Sequence, residues 1–177
     1  LKVMKKKVRL PRMLESIQSA SQAGLVANVN IIVGHPEEER RDLWKSWRFL
    51  FDALAAGCHS CSVMVFAPYP GSADFEGVLA RGEVEIDDRY CYLALARTGL
   101  RTRTYNPRMG TAELLVMRNL MLLSFYGASY LTRPSRTVRL LRSLRTGLEE
   151  TQVDQFVRTK LGQLRRRFGR DPATEAA

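Results

Sequence analysis

The chain is poor in the residues that carry metal and nucleophilic chemistry, with three cysteines and two histidines in 177 residues. Cys58-His-Ser-Cys61 has the spacing of a paired-thiol motif. A zinc site would want further donors at similar spacing, and only His35, His59 and Cys91 remain, scattered along the chain. A thioredoxin-like motif would open a helix, whereas this one opens a strand. Cys61 is therefore expected in the core as a small apolar residue. The odd cysteine count, in a chain that reads as cytosolic, implies no disulfide framework. Phosphate loops of the G-x-x-x-x-G-K-[ST] or G-x-G-x-x-G type are absent. Ser62 and Ser72 lack a G-x-S-x-G elbow, and the histidines lie in different turns, so no nucleophile–base pair is apparent. Long hydrophobic runs are missing too. The cleanest, Leu120–Leu131, follows Arg118 and Asn119 and falls short of a roughly 20-residue membrane span, which makes it a core or interface helix. No apolar stretch follows Lys2–Lys7, so no signal peptide is expected. The sequence opens at Leu1 within what reads as a helix, and a piece of a longer polypeptide is expected.

Acidic residues are the minority: 28 lysines and arginines face 18 aspartates and glutamates, a net charge of +10. The excess concentrates between Arg133 and Arg170, where Glu149, Glu150 and Asp154 are the sole acids. Such a balance favours anionic partners. A solvated helix face and contact with acidic lipid both remain open. Nucleic acid is disfavoured, because the aromatics here are not interleaved with the arginines as a stacking platform requires.

What is present is a β-α-β pattern. Pro11 and Gly24 bracket a helix with Met13, Leu14, Ile17, Ala20 and Ala23 at helical spacing. Val26–Val33 reads as a strand, with Val29, Ile31 and Val33 on one face and Asn28, Asn30, Ile32 and Gly34 on the other. The asparagines make the second set the one expected to face the lumen of a barrel-like sheet. His35-Pro36 then opens a helix whose first turns gather Glu37, Glu38, Glu39 and Asp42, as the helix dipole favours. Its apolar stripe is Leu43, Trp44, Trp47, Leu50, Phe51 and Leu54, and Gly57 ends it. A second strand, Ser62–Phe66, runs into the turn Pro68-Tyr-Pro-Gly71. Helices are expected over Asp74–Arg81, Asp88–Ala96, Glu113–Leu131 and Gln152–Phe168. Another follows Pro134, with Val138, Leu141, Leu144 and Leu148 on one side. Asp171–Ala177 reads as a disordered tail. In β-α-β units the strand ends carry the ligand site, and two Gly/Pro turns beside apolar side chains suit a flat, partly polar ligand.

Four stretches carry a family resemblance. Met4-Lys-Lys-Lys-Val8 with Arg12-Met-Leu-Glu-Ser-Ile17, Asn30-Ile-Ile-Val-Gly-His-Pro-Glu-Glu38, Phe66-Ala-Pro-Tyr-Pro-Gly-Ser72, and Tyr105-Asn-Pro-Arg-Met-Gly110 followed by Tyr126–Ser135 together resemble the C-terminal part of a radical S-adenosylmethionine (SAM) enzyme. More narrowly, the chain is similar to the family with an N-terminal cobalamin (B12)-binding domain. The resemblance implies an α/β fold: residues 1–85 as the C-terminal portion of a partial (β/α)6 TIM-like barrel, 86–170 as a helical C-terminal extension, and 171–177 as a tail. It implies S-adenosyl-L-methionine, a [4Fe–4S] cluster and, from an upstream domain, cobalamin as cofactors. Asn30, Ile32 and Gly34 would line the adenosyl site, with Ile32 and Gly34 against the adenine, Glu38 fixing the turn, and the backbone of Phe66 and Ala67 near the adenine edge. The absence of a Gly34 side chain would leave room for the ring. His35 and Glu37 stand where the family motif has Phe and Gly. The cluster-binding C-x-x-x-C-x-x-C loop is not in this sequence, so its ligands would lie upstream and the chain alone would be inactive. The whole enzyme would cleave SAM reductively to a 5'-deoxyadenosyl radical, or transfer methyl groups through cobalamin, on a small-molecule or lipid-like substrate. The implied partners are the upstream barrel half and cobalamin domain, and the implied location is the cytoplasm or the periphery of an anionic membrane. Read from the residues alone, the chain is a β-α-β ligand-binding piece without its own catalytic group; the alternative of a different class is a non-enzymatic, basic, helix-rich binding module for acidic membrane surfaces or nucleic acid. Two strands cannot close a barrel, so unpaired sheet edges and self-association are expected.

Overall fold

The computed structural model describes residues 8–84, 90, 103–146 and the single positions 157, 159 and 162. Among them are two parallel strands and five helices, an α/β arrangement. The chain falls into two compact units, Leu1–Tyr126 and Gly127–Ala177. The boundary expected at 85/86 thus lies inside the first unit. The expected helices Asp88–Ala96 and Gln152–Phe168 lie outside the described residues apart from Tyr90, Val157, Thr159 and Gly162, which are helical, and so does the tail.

The β-α-β unit forms as the alternation predicts. Helix α1 (Leu10–Gln22) starts with Pro11 in its first turn, where a missing N–H costs nothing. Strand β1 (Asn28–Val33) buries Val29 and Val33 and exposes Asn28, Asn30 and Ile32. Helix α2 (Arg40–Ala55) crosses over to strand β2 (Ser60–Val65), whose register sets Asn30 beside Ser62 and Ile32 beside Met64. The buried face of the pair meets a core that includes Ile17, Leu43, Leu50, Leu54, Cys58, Cys61 and Val63. The α2 stripe is narrower than the sequence suggests. Leu43, Leu50, Ala53 and Leu54 are buried, but Trp44 is 58% and Phe51 40% exposed. A two-stranded sheet offers only a narrow surface for α2 to cover. Trp44 instead stacks on Trp47, with centroids 5.1 Å apart.

A third helix, α3 (Ala73–Ala80), begins at Ser72, whose hydroxyl accepts from Phe75 N–H. Its Phe75 and Val78 form a small cluster with Val84 and Tyr90. Helix α4 (Thr111–Thr132) is long and apolar enough to cross a membrane by length and composition alone, yet two of its side chains, Arg118 and Tyr126, tie it to the sheet. The Tyr126 hydroxyl accepts from Cys61 N–H at 3.2 Å and donates to Cys61 O at 2.9 Å. Arg118 Nε donates to Val63 O at 2.7 Å. In the β1–β2 ladder Phe66 N–H donates to Val33 O, so the alternate residues Cys61 and Val63 aim their main chain away from β1. Two side chains of α4 therefore occupy the outer edge of β2, and the expectation of unpaired edges holds for one side only. On the outer side of β1, at Asn28, Asn30 and Ile32, no strand is paired among the described residues. Leu114, Met121 and Phe125 are buried, while Leu120 and Leu123 are exposed.

In the second unit, helix α5 (Pro134–Thr146) begins at the expected proline. Among the side chains described in it, Arg136 and Ser143 are buried. Val138, expected on an apolar packing stripe, is 59% exposed.

Candidate functional site

The site is built where β1 and β2 end. After Val33 the chain reaches Gly34 at φ +84°, a left-handed conformation that glycine adopts without steric cost. A side chain here would also collide with the protein, since an ideal Cβ would stand 2.7 Å from Leu114 Cδ1. The space beside Gly34 is thus held by Leu114, and Gly34 can meet a ligand only through its backbone.

The next four residues close a turn. Glu38 N–H donates to His35 O at 2.9 Å, and Pro36 pre-sets the φ of the second position. The Glu38 carboxylate reaches back and accepts from Gly34 N–H. Glu37–Glu39 therefore do not form the first turn of a helix, as the sequence reading had it. The α2 helix starts at Arg40, Glu39 is its cap, and Glu39 N–H donates to Asp42 Oδ2 at 3.2 Å. Glu38 is spent on the turn instead. Burial, the largest influence, pushes its pKa above the usual 4.5, against the opposing hydrogen bonds from Gly34 and His35.

Asn106, 5% exposed, clamps this turn from a distant part of the chain. Its Nδ2 donates to His35 O at 2.6 Å and to Glu38 O at 2.9 Å, while its Oδ1 accepts from Arg108 N–H at 2.7 Å. The His35 ring packs edge-on against Phe66, centroids 4.9 Å apart. Its Nδ1 accepts from Glu37 N–H at 3.3 Å, which puts the proton of the neutral ring on Nε2. That nitrogen lies 3.5 Å from Asp74 Oδ2. After Phe66 the second turn repeats the device: Ser72 N–H donates to Tyr69 O, with Pro70 and a left-handed Gly71 between. Tyr90 hydroxyl holds Pro68 O.

Of the six residues expected to bind an adenosyl group, Gly34 and Glu38 are in direct contact, and Phe66, 7% exposed, and half-buried Ala67 follow the adjacent strand. Asn30 and Ile32 lie on the open face of β1, where Asn28 Nδ2 donates to Asn30 Oδ1 at 3.0 Å and Ile32 is 42% exposed. That face is polar at one end, with Asn28, Asn30 and Ser62, and apolar at the other, with Ile32 beside Met64. Sequence reasoning missed Asn106 and the His35–Asp74 contact; the only signal for the first was its place in Tyr105-Asn-Pro-Arg-Met-Gly110.

Beside the turn opens a hollow of about 450 Å³, lined by Pro36, Arg81, Glu83, Thr104, Tyr105, Asn106 and Pro107. Its charges cancel, because Arg81 Nε bonds Glu83 Oε1 at 2.6 Å. Burial raises the Tyr105 hydroxyl above its usual pKa. Among the described residues no group of three or more His, Cys, Asp or Glu side chains could hold a metal ion. Cys58 and Cys61 do not fit an iron–sulfur cluster: both are buried, and Cys58 Sγ donates to Ser60 O at 3.1 Å. Burial, followed by the neighbouring Cys58, raises the Cys61 thiol to about 12. No protein-family model matches the chain, and no curated protein or solved structure matches it.

Proposed function

We propose that this chain is the C-terminal barrel segment and extension of a radical SAM enzyme, contributing the adenosyl-binding side to a longer polypeptide that supplies the cluster. The observation that carries the reading is the open face of the two parallel strands, where exposed Ile32 and half-buried Met64, near the C-terminal ends, lie next to Asn30 and Ser62 in mid-strand. Ligands of parallel α/β sheets bind at that end. An apolar surface beside amide and hydroxyl groups offers a purine ring both a face to lie on and edges to bond. Gly34 and Glu38 shape the turn above it, and Asn106 keeps that turn in place. The described cysteines have no part in holding a cluster, so the chain's own residues orient the adenosyl group and the reducing chemistry is supplied from outside them.

The test is calorimetric titration of S-adenosylmethionine into the product of the complete reading frame, reconstituted anaerobically with iron and sulfide. Ile32→Arg changes an exposed side chain and should leave the fold intact by circular dichroism. It should weaken SAM binding at least tenfold, about 1.4 kcal/mol, while the iron content stays the same. Equal affinity in wild type and variant, or no binding by a cluster-loaded protein, would refute the proposal.

A further inference from the structure

The second unit carries a surface that the adenosyl reading does not use. From Arg133 to Thr146 the sequence holds five arginines and no acidic residue. Arg136 points inward, 7% exposed, and its Nη1 donates to Ser129 Oγ at 2.5 Å. That bond anchors α5 to the end of the preceding helix and turns the opposite side outward. Val138, Arg142 and Arg145, spaced i, i+4 and i+7, share one stripe on that side, and all three are exposed. With Thr146 they line a hollow of about 330 Å³. Among the described residues no carboxylate pairs with Arg142 or Arg145. Leu131, in the same unit, is 86% exposed.

We infer that this face of α5 docks on an anionic bilayer surface, with Arg142 and Arg145 at the lipid headgroups and Val138, one turn before Arg142 on the same stripe, against the acyl boundary. Charge complementarity decides the occupant. Cations beside exposed aliphatic side chains, here with no carboxylate paired to Arg142 or Arg145 among the described residues, are what interfacial helices use, the cations drawing the helix to acidic lipid and the apolar residues holding it there. Nucleic acid fits less well. Residues 133–146 contain no aromatic, asparagine or glutamine side chain, so they offer neither stacking nor the amide pairing that reads base edges. The inference stands on α5 alone and does not depend on the adenosyl proposal.

The experiment is flotation of the full chain with phosphatidylcholine vesicles, with and without phosphatidylglycerol, at low and at physiological salt. The same protein is titrated with single-stranded and duplex oligonucleotides. Binding should require phosphatidylglycerol and weaken with salt. The pair Arg142→Gln and Arg145→Gln should weaken it about thirtyfold, since each cation near such a surface contributes about 1 kcal/mol. Val138→Asp, at an exposed position, should weaken it without a change in circular dichroism. Equal recovery on neutral and acidic vesicles would overturn the inference, as would unchanged binding by the arginine variants. So would tighter retention of an oligonucleotide than of the acidic vesicles.

Discussion

Replacing Gly34 by alanine tests how tightly α4 is seated on the strand ends. Two costs add. An alanine held at the observed φ of +84° loses about 1–2 kcal/mol relative to glycine. Its Cβ would also stand 2.7 Å from Leu114 Cδ1, and Leu114 has no exposed surface into which to retreat. Overpacking of that kind costs about 1–3 kcal/mol. Gly34→Ala should therefore destabilise by about 2–5 kcal/mol. Leu114→Ala alone should cost about 2–5 kcal/mol as a buried truncation. In the double variant the collision disappears, and beside the Leu114 truncation only the conformational cost of alanine at position 34 remains. The double variant should thus be more stable than the sum of the singles by about 1–3 kcal/mol. Effects of glycine on the unfolded chain occur in both alanine-34 proteins and cancel from this difference. Urea unfolding of the four proteins, followed by far-ultraviolet circular dichroism, gives the cycle. Additivity to within about 0.5 kcal/mol would mean that Leu114 does not fill the space beside Gly34, and the account of the strand end would fall.

Tyr126→Phe removes both hydrogen bonds to Cys61 and should cost about 1–3 kcal/mol; combined with Arg118→Met it should yield a self-associated species in sedimentation velocity, and a stable monomer would show that other groups shield β2. Glu38 gives a pH signature. Its native pKa is raised above 4.5, chiefly by burial, so the native state holds this proton more tightly than the unfolded chain. Its contribution is fully present below pH 4.5 and is lost as pH rises through the raised native value. Glu38→Gln should flatten that window in denaturant midpoints measured against pH, while keeping an oxygen for Gly34 N–H. Glu38→Ala should instead cost about 1–3 kcal/mol by leaving that N–H unpaired, and identical Gln and Ala curves would remove the bond from the account.

The parts of the fold legible in the sequence are those set by period. Val29 and Val33 alternate with Asn28, Asn30 and Ile32, and the burial follows. Pro11, Gly24 and Gly57 mark helix ends, and Pro70-Gly71 marks a turn that bonds as such. What failed depended on partners outside the local window. Three consecutive glutamates look like the first turn of a helix, but Glu38 finds Gly34 N–H across the turn and the helix starts after it. Trp44 and Phe51 carry the spacing of a core stripe, yet a two-stranded sheet leaves both exposed. Arg118 reads as an interruption in an apolar helix, and only the strand register reveals that it reaches Val63 O. Asn106 sits in a short polar stretch with no periodicity, so its hold on His35 and Glu38 is invisible until the chain is folded. For the candidate site, the strand ends were readable while the clamp was not.

The different fates of the two sheet edges set the chain's valence. Fibril growth by strand addition needs two free edges on every unit, one to join and one to offer. Here Tyr126 has already filled the N–H and C=O of Cys61, and Arg118 the C=O of Val63, on the outer side of β2. Among the described residues, no strand pairs with the side of β1 that carries Asn28, Asn30 and Ile32. A unit with one such edge makes one pairing and then stops. A second copy of this unit that joins through its own β1 leaves a filled β2 at each end and closes the ladder at two copies, whereas a strand from the same polypeptide would pass its own outer edge on to the next.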